Sequence, residues 1–319
     1  MRGKTRRITI NPDRFCPEHV DATIHGKNRE ANRGRCYDCR VLPDYLKISA
    51  EQLGQGQSVQ VRVLGDAASL TIDFAHNILA VIQDAQARGR NATLIIPVGP
   101  VDQFPVLAKL INDQKICCRD VALINMDEYL TDQDEWVALD HPLSFRGFMN
   151  RNFYELLDPA LAPALENRIF PDPKNPGAIQ QFIQARNGVD ACFGGIGING
   201  HIAFNEPPEP GEKISLEQFA TLPTRVLSLA RETRTINSVT VGGEISVVPR
   251  RAVTIGLKEI LGSRALRFYC NRPWQSAVAR KVLHGPISPD CPASLLRKHG
   301  DARLTLADFV AAPPDIQLR

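Results

Sequence analysis

No stretch of this chain approaches the roughly 18 consecutive apolar residues that a membrane-crossing helix needs, so no membrane partner is expected. Residues 1–7 are basic like the start of a secretion signal. Ile8-Thr9-Ile10-Asn11-Pro12 then supplies no apolar run to complete one, and a cytoplasmic protein is expected. Aromatic residues are scarce at 6%, no basic stretch is interleaved with them, and the net charge of +3 over 319 residues is slight; together these argue against a nucleic-acid partner. Fixed-period repeats and low-complexity tracts are also lacking. What remains is an ordinary globular composition, 43% hydrophobic and 23% charged, on a chain long enough to bury a sizeable core. Several of the eight cysteines (16, 36, 39, 117, 118, 192, 270, 291) sit inside apolar segments, as reduced core thiols do. A small-molecule substrate is the default.

Hydrophobic patterning alternates between strand and helix from residue 59 onward. Strands are predicted at 59–63, 93–97, 121–125, 191–193, 252–255 and 265–269. Helices are predicted from the apolar set Ile72, Ala75, Ile78, Leu79 and Ile82, ending near Gly89, and over 104–112, 142–156, 258–261 and 274–283. Strands separated by helices imply an α/β fold: a doubly wound, mainly parallel sheet with helices on both faces. Residues 1–45 differ, being polar, rich in Arg and Asn and without apolar periodicity. They are expected to form a separate small module beside an α/β domain spanning 46–319.

The richest segment is Gly194-Gly195-Ile196-Gly197-Ile198-Asn199-Gly200-His201-Ile202-Ala203-Phe204-Asn205-Glu206-Pro207. It sets a histidine and a carboxylate five residues apart on a glycine-rich turn after an apolar stretch, and open α/β sheets place their chemistry at such strand ends. A lone histidine is more often a satisfied core residue; glycines on both sides of His201 favour a working site. Asn125-Met126-Asp127-Glu128-Tyr129 likewise follows an apolar strand and puts two carboxylates at its end, where burial or like charge can separate acid and base roles. Read alone, Asp127 as a turn cap with Glu128 facing water is an equal account.

These two segments resemble the signature segments of the glucosamine-6-phosphate deaminase/isomerase family. His141-Pro142-Leu143-Ser144-Phe145-Arg146-Gly147-Phe148-Met149, Glu232-Thr233-Arg234-Thr235-Ile236-Asn237-Ser238 and Val248-Pro249-Arg250-Arg251-Ala252-Val253-Thr254-Ile255-Gly256 resemble further family stretches in the same order. The resemblance runs from about residue 58 to the C-terminus. It implies a doubly wound α/β enzyme that converts an amino-sugar phosphate to a ketose phosphate with release of ammonia, without a cofactor for catalysis. Carried over, His201 opens the sugar ring by passing a proton to the ring oxygen, Glu206 orients it, and Asp127 moves a proton between C2 and C1. Gly99, Glu128, Tyr129, Gly197, Asn199 and Gly200 then bind substrate or shape its pocket.

The chain departs from the family where charge matters. Asn199 stands where the family usually has an aspartate, and an amide can orient an imidazole but cannot stabilise imidazolium as a charge would. The family's glycine- and threonine-rich phosphate loop is replaced by Pro97-Val98-Gly99-Pro100-Val101-Asp102-Gln103, with fewer backbone donors and an acid. Its phosphate-binding arginine and lysine align with Val239 and Gln275, leaving Arg272 or Arg234 as the cations that would have to serve instead.

Outside the resemblance, Cys16-Pro17-Glu18-His19 and Cys36-Tyr37-Asp38-Cys39 form a Cys-x2-His and a Cys-x2-Cys. Cys16, His19, Cys36 and Cys39 suit a tetrahedral structural zinc, with His25 as an alternative ligand and an iron–sulfur cluster as a weaker reading. Three functions are therefore weighed: a deaminase/isomerase on an amino sugar, a sister activity such as a galactosamine-6-phosphate isomerase or a lactone hydrolase, and a non-catalytic sugar sensor. The lactonase is disfavoured by the Asn125–Tyr129 and Asn205-Glu206-Pro207 segments. Whether the chain forms a homo-oligomer is left open by its sequence.

Overall fold

The computed structural model describes residues 42–100 and 102–317. The 1–45 module, with Cys16, His19, His25, Cys36 and Cys39, lies outside the described residues apart from 42–45. In chain order the elements are β1 (Gln60–Leu64), α1 (Ala67–Ala87), β2 (Thr93–Ile96), α2 (Gln103–Gln114), β3 (Ala122–Asn125), β4 (Asp127–Leu130), α3 (Phe145–Asn152), β5 (Arg168–Ile169) and α4 (Ala178–Ala185). There follow β6 (Ala191–Gly195), α5 (Leu216–Ala220), β7 (Arg225–Ser228), α6 (Arg231–Asn237), β8 (Arg251–Thr254), α7 (Leu257–Leu261), β9 (Leu266–Cys270), α8 (Gln275–His284), β10 (Ala302–Ala307) and α9 (Asp308–Ala311).

Seven strands form one sheet in the order β1-β10-β9-β6-β2-β3-β5, every neighbouring pair parallel. The all-apolar look of its central strands follows from burial on both faces: all four residues of β2 and of β3 are buried. The chain builds from β2 outward to β3 and β5, then returns to β6 on the other side of β2. The loops after β2 and β6 thus leave in opposite directions and open a crevice at the carboxyl ends of the strands, the place where such sheets bind ligands.

Helix α1 shows how the flanking layer is specified. Asp66 caps it, its carboxylate accepting the Ser69 N–H at 2.6 Å. Leu70, Phe74, Ile78 and Ile82, four residues apart, are buried along one face. Ile72, expected on that face, is two residues out of phase and 49% exposed. The helix expected over 142–156 is also shorter: it is α3 followed by a separate 3-10 turn at Tyr154–Leu156.

The strand expected at 252–255 does not join the parallel sheet. As β8 it pairs antiparallel with β4 and β7 in a second, three-stranded sheet. The switch occurs at Met126, whose N–H donates to Ile96 O of the main sheet at 3.0 Å while its carbonyl accepts from Ile255 N at 2.7 Å. Chain leaving β3 is thereby handed to the small sheet as β4, with Asp127 as its first residue.

No described helix is long and apolar enough to cross a membrane. The five cysteines among the described residues are free thiols, and only Cys117 is exposed.

Candidate active site

Asp127 begins β4 opposite Thr254 of β8. The Thr254 hydroxyl accepts the Phe204 N–H at 3.0 Å, and the Asn205 side-chain amide donates to Ile255 O at 2.9 Å and Ile202 O at 3.0 Å. The turn carrying His201 and Glu206 is thus fastened to the strand that pairs with Asp127. The ring of Phe204 packs between those of Tyr129 and His201, with centroids 5.5 and 6.3 Å away. The buried Tyr129 hydroxyl accepts from Asn237 Nδ2 at 2.9 Å and feels the charges of Asp127, Glu128 and Glu206 together. Two segments more than 70 residues apart in sequence therefore meet at the crevice.

The two acids of the first segment have opposite surroundings. No donor reaches the Asp127 carboxylate among the described residues; burial, with the neighbouring Glu128 charge adding to it, raises its pKa well above the ordinary aspartate value. Glu128 is fully buried and saturated. Its oxygens accept from Tyr129 N at 2.8 Å, Ser144 Oγ at 3.0 Å, Phe145 N at 3.0 Å, Arg146 N at 2.8 Å and Arg146 Nε at 3.2 Å. The Arg146 guanidinium lies 4.4 Å over the Trp136 ring. Glu128, expected among the substrate-binding residues, instead ties the start of α3 beneath the site, because a carboxylate with five donors has no lone pair left for a ligand.

His201 sits in a close polar cage. Its Nδ1 lies 2.8 Å from Asn199 Oδ1, 3.1 Å from Thr233 Oγ1 and 3.3 Å from Glu206 Oε2. Asn199 spans the cage, accepting the His201 backbone N–H at 3.1 Å and donating through Nδ2 to Glu206 Oε2 at 2.7 Å. Burial pushes the Glu206 carboxyl up, but the hydrogen bond and charge of His201 and the bonds from Asn199 and Thr233 outweigh it, leaving its pKa below the usual glutamate value. The glycines act by absence: a side chain at Gly197 would collide with the His201 ring, and one at Gly200, whose φ is +89°, would meet Cys291 Sγ.

The expected phosphate region carries little free charge. Gly99 is exposed, Val98 is buried and Val239 is a 69% exposed apolar residue. Gln275 at the start of α8 is committed, donating to Ile196 O at 2.8 Å and accepting from Arg272 N at 2.8 Å. Arg234 donates to Ile245 O and Val248 O. The exposed Arg272 guanidinium, just past β9 at the same end of the sheet, has no partner among the described residues.

No family model matches the chain. Relatives decide the matter instead. A glucosamine-6-phosphate deaminase of Bacillus pumilus is 30% identical over 231 residues, which is 71% of this chain and 90% of that protein. One of Porphyromonas gingivalis is 30% identical over 210 residues, covering 64% of this chain and 74% of the relative. The chain belongs to the glucosamine-6-phosphate deaminase family. A solved monomeric glucosamine-6-phosphate deaminase superposes on it with a TM-score of 0.67 at 25% identity, over 79% of this chain and 99% of that one. A 6-phosphogluconolactonase of Trypanosoma cruzi matches at TM-score 0.57 and 14% identity, a likeness of fold alone. For this member of the deaminase family the sequence singled out Asp127, His201, Glu206 and Asn199, but missed Thr233, Thr254 and Cys291. Those three come from separate elements, and only their positions in space show that they touch the turn carrying His201.

Proposed function

We propose that the chain is an amino-sugar deaminase/isomerase in which His201 opens the sugar ring and Asp127 carries out the isomerisation. The observation supporting it most is the pairing of an unpartnered, buried carboxylate of raised pKa with an oriented imidazole at the switch point of the sheet. His201 takes the proton of the anomeric hydroxyl at its free ring nitrogen and returns it to the ring oxygen as the ring C–O bond breaks. Asp127 removes the C2 proton, so that the C2–H electrons form a C1–C2 double bond while the C1=O π pair moves to O1, which takes a proton from the C2 ammonium; Asp127 then delivers its proton to C1 as the nitrogen lone pair forms the C2=N bond. The resulting C2 imine adds water and releases ammonia and the ketose. A carboxylate raised by burial is a stronger base than one in water, which suits removal of a carbon-bound proton. Glu206 supplies negative charge beside His201, and Tyr129, Gly197, Asn199 and Gly200 shape the pocket. No cofactor enters any step.

Whether the sugar carries phosphate follows from Arg272. With Val239 apolar and exposed and Gln275 and Arg234 already bonded, a phosphorylated substrate would rest on that one guanidinium. An unphosphorylated or weakly held sugar fits the remaining surface better.

The test is direct. Purified protein is incubated with glucosamine-6-phosphate, galactosamine-6-phosphate and their unphosphorylated forms while ammonia and ketose are assayed. Turnover is expected, falling by about 100-fold or more in Asp127→Asn; ligand-induced stabilisation without product from any sugar would instead make the protein a sensor. Millimolar inorganic phosphate is expected not to compete.

We also propose that Cys16, His19, Cys36 and Cys39 hold a structural zinc, on the strength of their spacing. Protein purified without chelator should carry about one zinc per chain and lose it in the Cys36→Ser, Cys39→Ser variant. Metal analysis finding none would end that proposal.

A further inference from the structure

The cage around His201 leaves little choice in where its ring proton sits. Asn199 can adopt only one amide orientation: Oδ1 faces the His201 backbone N–H at 3.1 Å and Nδ2 faces the Glu206 carboxylate at 2.7 Å, and the reverse would set oxygen against carboxylate and NH2 against N–H. Asn199 Oδ1 is therefore an acceptor at the 2.8 Å contact with His201 Nδ1, and Nδ1 must carry hydrogen. Glu206 Oε2, at 3.3 Å, is likewise an acceptor.

The third neighbour comes from a different element. Thr233 of α6 is fully buried and lies 3.1 Å from Nδ1, and its hydroxyl is among the groups that lower the Glu206 pKa. With Nδ1 already a donor, the threonine oxygen accepts there and its own hydrogen points to Glu206. Among the described residues the other Glu206 oxygen, Oε1, is buried without a partner, so the donors they supply gather on the histidine side.

We propose that Thr233 is a positioning residue: its hydroxyl bridges His201 Nδ1 to Glu206 and, with Asn199, holds the imidazole as the Nδ1–H tautomer, so that Nε2 alone exchanges protons with the sugar. This rests on the reading of His201 as the ring-opening group. The bridge gives this chain an indirect coupling between histidine and carboxylate, with neutral groups at the two shorter contacts. It also explains the need for glycine at 197, since the ring lies where a Cβ there would fall.

The test reads the tautomer without turnover. Long-range 1H–15N correlation spectra of the full chain, with the His201 signals assigned from a His201→Asn variant, should show a protonated Nδ1 and a bare Nε2 in the neutral ring. Thr233→Val should shift the Nδ1–H resonance and speed its exchange with water. It should lower kcat by about fivefold with little change in KM, the effect of one lost hydrogen bond, and Thr233→Ser should restore both. A neutral ring protonated at Nε2 would overturn the proposal, as would a Thr233→Val protein with unchanged kcat and Nδ1–H signal. If the tautomer is as stated but no amino sugar is turned over, the functional reading fails and this bridge stands. Turnover with the opposite tautomer has the reverse meaning.

Discussion

Asp127 and Glu128 are chemically near-identical neighbours, and their surroundings make them different groups. Five donors meet the Glu128 carboxylate, and removing them would leave buried oxygens without partners. Asp127 has no such compensation, and its raised pKa has a consequence for stability. Above the unfolded aspartate value of about 3.9, the folded chain retains a proton that the unfolded chain releases. Stability is therefore lost as pH climbs from there toward the folded pKa. Asp127→Asn does not titrate, so it should melt above wild type at neutral pH. The gap should close as pH falls toward about 4. Melting curves with a gap that is negative, or flat with pH, would contradict the burial of this acid.

At the level of elements, the turn carrying His201 is gripped from two sides. β8 holds it through Thr254 and Ile255, and the segment after α8 holds it through Ala293, whose N–H donates to Gly200 O at 2.8 Å, and through Cys291 packed under Gly200. Gly200→Ala should cost about 1–3 kcal/mol from its left-handed backbone, with a further loss from the Cys291 contact. Urea unfolding in a cycle with Cys291→Ala should recover the second part only; strictly additive effects would show that the packing is not shared. Much of this was legible beforehand. The buried strands β2 and β3 and helix α1 announce themselves because both-face burial and a four-residue period write long, regular patterns. β4 did not, since Asp-Glu-Tyr-Leu looks polar until its acids are placed, and β5, β7 and β10 were also missed, β5 and β7 being short strands with no fully buried residue. Asp127, His201, Asn199 and Glu206 could be read because the turn carries three of them in one contiguous segment and a strand end marks the other. Thr233 lies 32 residues from His201, and the family-like stretch that contains it does not say that it meets the imidazole.

Across the molecule, the order of strands does what no single segment can. Because β6 returns beside β2 while β3 hands the chain to a second sheet, the start of β4 with Asp127 and the turn after β6 with His201 are brought to the same end of the main sheet. A buried cation ties further segments together: Arg280 of α8 is fully buried with no acid beside it among the described residues, its charge spread over the carbonyls of Ile48, Ser276, Val310 and Ala311. That bond set joins the first described residues to the last helix and steadies α8, whose start abuts the catalytic turn through Gln275. The central claim is that Asp127, His201 and Glu206 serve one bound sugar. Its most direct test is a crystal structure with an open-chain amino-sugar alcohol, which cannot isomerise, in phosphorylated and unphosphorylated forms. The expected result places C1 and C2 within about 3.5 Å of the Asp127 carboxylate and the O5 hydroxyl against His201 Nε2, with any phosphate beside Arg272. An alcohol bound elsewhere, or bound with its C1–C2 end turned away from Asp127, would contradict the account.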